Sequence, residues 1–129
     1  MKLPKYKNYY GFALIEVLIA AAVLSIILLS IYSGISTSAN VITRSQRHTT
    51  ATMLAKSKMN EFILDGFRGM DINEQPIEDF SNFYLSRETV RYENPLAGPL
   101  PANKTTITIS WKENQRERKY ELVYIYPTN

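Results

Sequence analysis

The sequence predicts an α+β fold, with one long amino-terminal helix packed on a small antiparallel β-sheet. Three observations carry this expectation. No proline interrupts the chain between Pro4 and Pro76, and an interior proline is what breaks a helix. Within that stretch a continuous apolar run gives way to an apolar stripe at three- and four-residue spacing, the signature of one buried helix face. Beyond Pro76 the period changes to two, with Ile107, Ile109 and Trp111 alternating against Thr106, Thr108 and Ser110, as on a half-buried strand.

The apolar run comes first in the chain. No charged residue occurs from Val17 to Thr43, and Glu16 is the one charge between Phe12 and Ile35. A run of this length is a membrane-span candidate. Its spanning residues are Val17, Leu18, Ile19, Val23, Leu24, Ile26, Ile27, Leu28, Leu29 and Ile31. A carboxylate inside such a segment costs about 2.5–3.5 kcal/mol on insertion scales, so Glu16 is a candidate functional residue. Ser25, Ser30 and Gly34 are small or polar positions of the kind found at membrane helix contacts.

Three lysines, Lys2, Lys5 and Lys7, precede the run with no acid among them. By the positive-inside rule they hold the amino end on the inner side. Arg44, Arg47, Lys56 and Lys58 follow on the far side and reduce the contrast. The lysines also explain the net charge of +3. After Gly11 the chain carries 12 Lys plus Arg against 12 Asp plus Glu, so its charge is zero and it lacks the basic footprint that nucleic-acid binding requires.

Past Arg44 the stripe is Ala51, Leu54, Ala55, Met59, Phe62 and Ile63, read as a core face covered by a sheet. Leu64-Asp65-Gly66 is a helix stop. A helix from Phe12 to about Asp65 would be roughly 80 Å long. Residues 66–82 hold Asp71, Glu74, Glu78 and Asp79 around Pro76 and read as a solvated acidic connector. Asp71-Ile72-Asn73 opens like a calcium loop, but Pro76 stands where the loop needs Gly and Asn82 where it needs Glu. Residues 83–126 read as the sheet: a strand from Phe83 to Tyr92, a rigid connector through Pro95, Gly98, Pro99 and Pro101, a strand from Lys104 to Trp111, a polar turn at Glu113–Arg116, and a strand through Tyr120, Leu122, Tyr124 and Tyr126.

No catalytic constellation, metal cluster or cofactor motif is present in the sequence: Cys is absent, His48 is the sole histidine, and no Gly-rich phosphate loop occurs. His48 reads as a solvated helix residue. The tyrosines of the last strand offer a stacking platform for single-stranded nucleic acid, but a half-buried strand face explains them without one.

The stretch Gly11-Phe12-Ala13-Leu14-Ile15-Glu16-Val17-Leu18-Ile19-Ala20 resembles the amino-terminal signature of type IV pilin-like proteins. In that family a prepilin peptidase cuts after the Gly, the new terminal residue is N-methylated, and a Glu stands at the fifth mature position. The resemblance implies cleavage between Gly11 and Phe12, N-methylation of Phe12, and a role for Glu16 in recruiting the terminal amine of a neighbouring subunit; an ion pair with the chain's own terminus is the simpler alternative. Ala13 stands where the family commonly has Thr. An ordinary secretory signal cut after Ala39 and a plain signal anchor are the competing readings of the same run.

The resemblance divides the chain into a basic leader 1–11, a membrane-spanning assembly helix 12–35 and a periplasmic domain 36–129. It implies a single-pass protein of the bacterial inner membrane. The stretch from Ala55 to Phe62 is also similar to the I-type minor pseudopilins of type II secretion systems. The implied partners are other pseudopilins or pilins in a hetero-oligomeric filament tip, the prepilin peptidase and an inner-membrane assembly platform. A minor pilin of a type IV pilus, and a membrane-anchored binding module that never assembles, remain the alternatives.

Overall fold

In the computed structural model, Lys2 and residues 10–128 are described. The elements are a helix α1 (Tyr10–Leu64) and four strands, β1 (Ile72–Ile77), β2 (Phe80–Asn94), β3 (Gly98–Glu113) and β4 (Arg116–Pro127). The strands form one antiparallel meander in the order β1-β2-β3-β4. The chain divides into two compact units, Met1–Arg44 and Ser45–Asn129. The expected arrangement of one long helix and an antiparallel sheet is the one found.

In the first unit α1 carries its apolar side chains uncovered, from Phe12 through Ile42. Its hydroxyls are satisfied within the helix: Ser25 donates to the Ala21 carbonyl at 2.7 Å and Ser30 to the Ile26 carbonyl at 2.8 Å. Such bonds would also satisfy the hydroxyls in a segment without water.

In the second unit the predicted helix stripe is the core. Ala51, Leu54, Ala55, Met59 and Phe62 are buried together with Leu85, Ile107, Ile109, Trp111 and Tyr126 of the sheet, and Ile63 packs against this cluster. Helix-facing residues pair across the sheet, Leu85 with Ile109, and Ile109 with Tyr120. Ile107 and Ile109 are fully buried. Thr105 is buried as well, its hydroxyl 2.8 Å from that of Thr89.

The helix ends by a defined device. The Phe67 N–H donates to the Phe62 carbonyl at 2.9 Å and the Gly66 N–H to the Ile63 carbonyl at 3.0 Å, the paired bonds of a Schellman cap. Gly66 supplies the left-handed residue, with φ of 69°. The hydrophobic contact that accompanies this cap is between Phe62 and Phe67, edge to face at 5.7 Å.

The structure differs from the sequence reading in three places. Residues 66–82 are not wholly loop, because β1 lies inside them and pairs with β2. It is an irregular edge strand, with register shifts on either side of Gln75–Pro76, and an edge is where a sheet tolerates proline. The rigid Pro95–Pro101 segment is not only a connector either, since β3 begins at Gly98 and pairs Asn94 with Gly98 and Glu93 with Pro99. The Pro101 carbonyl accepts the Thr128 N–H, so Pro101 and Pro99 turn their N positions toward the β4 side. The last β4 pair is Ala102–Pro127, so at Pro99 the missing N–H costs no ladder bond. Lastly, His48 is exposed but not merely solvated: its ring stands edge-on to Trp111 at 6.5 Å and to Tyr120 at 5.6 Å.

Candidate functional site

Gly11, Phe12 and Glu16 all lie on α1. Phe12 and Glu16 are four residues apart, one helical turn, and so share a face. Phe12 is 78% exposed. Among the described residues Glu16 has neither an ion-pair nor a hydrogen-bond partner, and it is exposed. The leader residues 3–9, including Lys5 and Lys7, lie outside the described residues.

Gly11 is instructive because the fold does not ask for it. A Cβ there would meet nothing within 4 Å among the described residues, and its φ is not positive. Glycine in a helix costs about 1 kcal/mol relative to alanine.

The surrounding helix is long and apolar enough to cross a membrane, and none of its most apolar window is buried. Two explanations exist for so much uncovered apolar surface, lipid and other helices. A carboxylate in a low-dielectric surrounding needs a cationic partner.

Among the described residues no group of three or more His, Asp or Glu is placed to hold a metal ion. Of the acidic side chains of 66–82, Asp71 accepts the Thr89 N–H at 3.0 Å.

Residues 6–32 match the family model described as the prokaryotic N-terminal methylation motif. This segment carries the type IV pilin signature. The match spans the Gly11–Phe12 junction, Glu16 and most of the apolar run, and it supports a type IV pilin-like, prepilin-peptidase-processed protein. With the uncovered apolar helix it fits a single-pass membrane anchor. No curated protein and no solved structure matches the chain.

Two features of the second unit escaped the sequence reading. One is Arg87, whose guanidinium lies over the Phe62 ring at 4.5 Å and donates to the Met70 carbonyl at 2.8 Å. The signal was available, since Arg87 sits in phase with Phe83 and Leu85 on a helix-facing strand. The other is Phe67, which stacks on Tyr126 with ring centres 3.9 Å apart. An aromatic residue directly after a Leu-Asp-Gly stop is the hydrophobic position of a Schellman cap.

Proposed function

We propose that this chain is a minor pilin-like subunit, cut between Gly11 and Phe12, N-methylated on Phe12, and assembled into the tip of a pseudopilus that drives type II protein secretion. The observation that carries this reading is Glu16. It stands one turn from Phe12 on an uncovered helix, without a partner among the described residues, inside the methylation motif.

The mechanism follows from electrostatics. Before assembly the chain is a single-pass protein of the bacterial inner membrane, with residues 36–129 in the periplasm. Lys2, Lys5 and Lys7 hold the leader inside until the peptidase removes it. The cut creates a cation at Phe12 and leaves the mature chain neutral. A neighbouring subunit that brings its terminal amine to Glu16 relieves the cost of a lone carboxylate in hydrocarbon. The inner-membrane platform then raises the neutral, ion-paired helix out of the bilayer among other pilin helices. The I-type assignment rests on the Ala55–Phe62 similarity.

Replacing Glu16 by Ala tests this. The variant is expected to enter the membrane and to be cut as before, while its incorporation into filaments and the secretion it supports fall at least tenfold. Filament entry and secretion unchanged in Glu16→Ala would overturn the role given to Glu16.

A further inference from the structure

After Gly11 the chain is neutral overall, yet its charges are sorted between the two edges of the sheet. At the β4 edge and the turn before it stand Lys112, Arg116, Arg118 and Lys119, with Glu113 and Glu117. At the β1 edge stand Asp71, Glu74, Glu78 and Asp79, with no base among residues 70–79. In a meander the β1–β2 and β3–β4 turns lie at the same end of the sheet. That end is acidic on one side and basic on the other.

The basic side has its carboxylate turned in and its cations turned out. The Glu113 side chain is 11% exposed and lies between Arg47 at 3.9 Å and Arg118 at 3.6 Å. Lys112, Arg116 and Lys119 are exposed, and Lys112 and Arg116 have no ion-pair partner among the described residues. Glu117 pairs with Lys119 at 3.8 Å. With Arg47, five cations stand against two carboxylates.

Arg47 fixes where this patch sits. It is at the start of the second unit, where the chain enters from the apolar segment. Val41 and Ile42 are exposed, so uncovered apolar surface reaches to within about 8 Å of Arg47 along the helix. The Debye length at physiological salt is also about 8 Å. A patch tied this close to a bilayer meets its headgroups at high effective concentration. Lys and Arg are drawn to an anionic lipid surface, while Asp and Glu are repelled by it.

We infer that the basic edge around Arg116 and Lys119 docks on anionic phospholipid headgroups of the bilayer that holds α1. The acidic β1 edge is turned away from the same surface, so the charge sorting sets the roll of the domain. A lipid surface is the anionic partner to which the chain is already tethered. This inference rests on the membrane anchor and does not require filament entry. The contact holds the domain to the membrane before assembly and breaks when the helix leaves the bilayer.

The chain has no cysteine, so a single dye can be placed at either side of this end. Full-length Gln115→Cys and Asn82→Cys proteins are labelled with a donor dye. Each is reconstituted into vesicles of phosphatidylcholine, with or without phosphatidylglycerol, that carry an acceptor dye on their headgroups. With phosphatidylglycerol, energy transfer from Gln115→Cys is expected to exceed that from Asn82→Cys at least twofold. The difference is expected to vanish in phosphatidylcholine alone and in 1 M salt, where the Debye length is about 3 Å. It is also expected to vanish when Arg116→Glu and Lys119→Glu are combined, and when Arg116→Gln and Lys119→Gln remove the charges without reversing them. Equal transfer from the two positions with phosphatidylglycerol would overturn the inference. A difference that survives high salt or both double variants would show apolar insertion and overturn it too. A chain that fails to enter vesicles would overturn the anchor itself.

Discussion

The Phe67 ring lies parallel on Tyr126, their planes 9° apart and their centres 3.9 Å apart. This joins the end of the helix to the end of the last strand. Phe67 itself is in the left-handed region at φ 61°, a conformation that costs a non-glycine residue roughly 1–2 kcal/mol. The stack, the Phe62 contact and the cap bonds offset that cost. Phe67→Ala removes the ring contacts with Phe62, Tyr124 and Tyr126 and is expected to destabilise the full chain in detergent by about 2–4 kcal/mol, measured by thermal or chemical unfolding followed by circular dichroism. A loss under 0.5 kcal/mol, on the order of an ordinary surface substitution, would mean that the cap does not tie helix to sheet.

Gly69 and Arg87 make a second constraint, on the Phe62 ring that Phe67 also touches. A Cβ on Gly69 would collide with the Arg87 guanidinium, and the φ of 150° there is one that side chains rarely adopt. Gly69→Ala is therefore expected to push Arg87 from the Phe62 ring and cost more than about 1 kcal/mol. In the Arg87→Ala background there is no guanidinium to strike, and the same substitution should cost less. A double-mutant cycle reads this coupling; additive effects would separate the two residues.

The β3–β4 turn gives a prediction of opposite sign. Asn114 and Gln115 have φ of 47° and 63° and join the pair Glu113–Arg116, the geometry of a two-residue type I′ turn. Gln115 has no side-chain reason to accept that angle. Gln115→Gly is expected to stabilise the fold by about 0.5–1 kcal/mol, visible as a rise in the unfolding midpoint. A fall would show that the Gln115 side chain contributes more than its backbone strain costs.

Ile107 tests the core. It is fully buried between Arg87 and Leu122 in the ladder, and Ile107→Ala is expected to cost about 2–5 kcal/mol through lost transfer energy and the cavity left behind. Thr108, its neighbour on the opposite face, is only half-buried, and Thr108→Ala should cost less than about 1 kcal/mol. Equal losses at the two positions would contradict the assignment of the helix-facing side.

Legibility followed periodicity. Ala51, Leu54, Ala55, Met59 and Phe62 announced a helix face, and Ile107, Ile109 and Trp111 announced a strand face, because burial on one side imposes a repeat on the residues that are buried. Where nothing is buried no repeat is imposed. β1 has its two isoleucines at its ends and exposed residues between them, so its four middle residues carry no period and read as an acidic loop. The far end of the β2–β3 hairpin lacked a period for the same reason, and its prolines, harmless on the side that β4 leaves open, read as breaks. Gly11, Phe12 and Glu16 could be singled out because their spacing is linear in sequence, and they fall inside the segment that the methylation-motif model matches. The cleft beside the helix cap was not legible, because Phe67, Asn103 and Tyr124 meet only after the cap and the meander have formed.

The central claim is the cut between Gly11 and Phe12, on which the terminal amine and the role of Glu16 depend. Intact-mass and amino-terminal peptide measurement of the protein extracted from membranes tests it most directly. The expected chain begins at Phe12 and carries one added methyl group. A chain that begins at Asn40, or one that still begins at Met1, would contradict it.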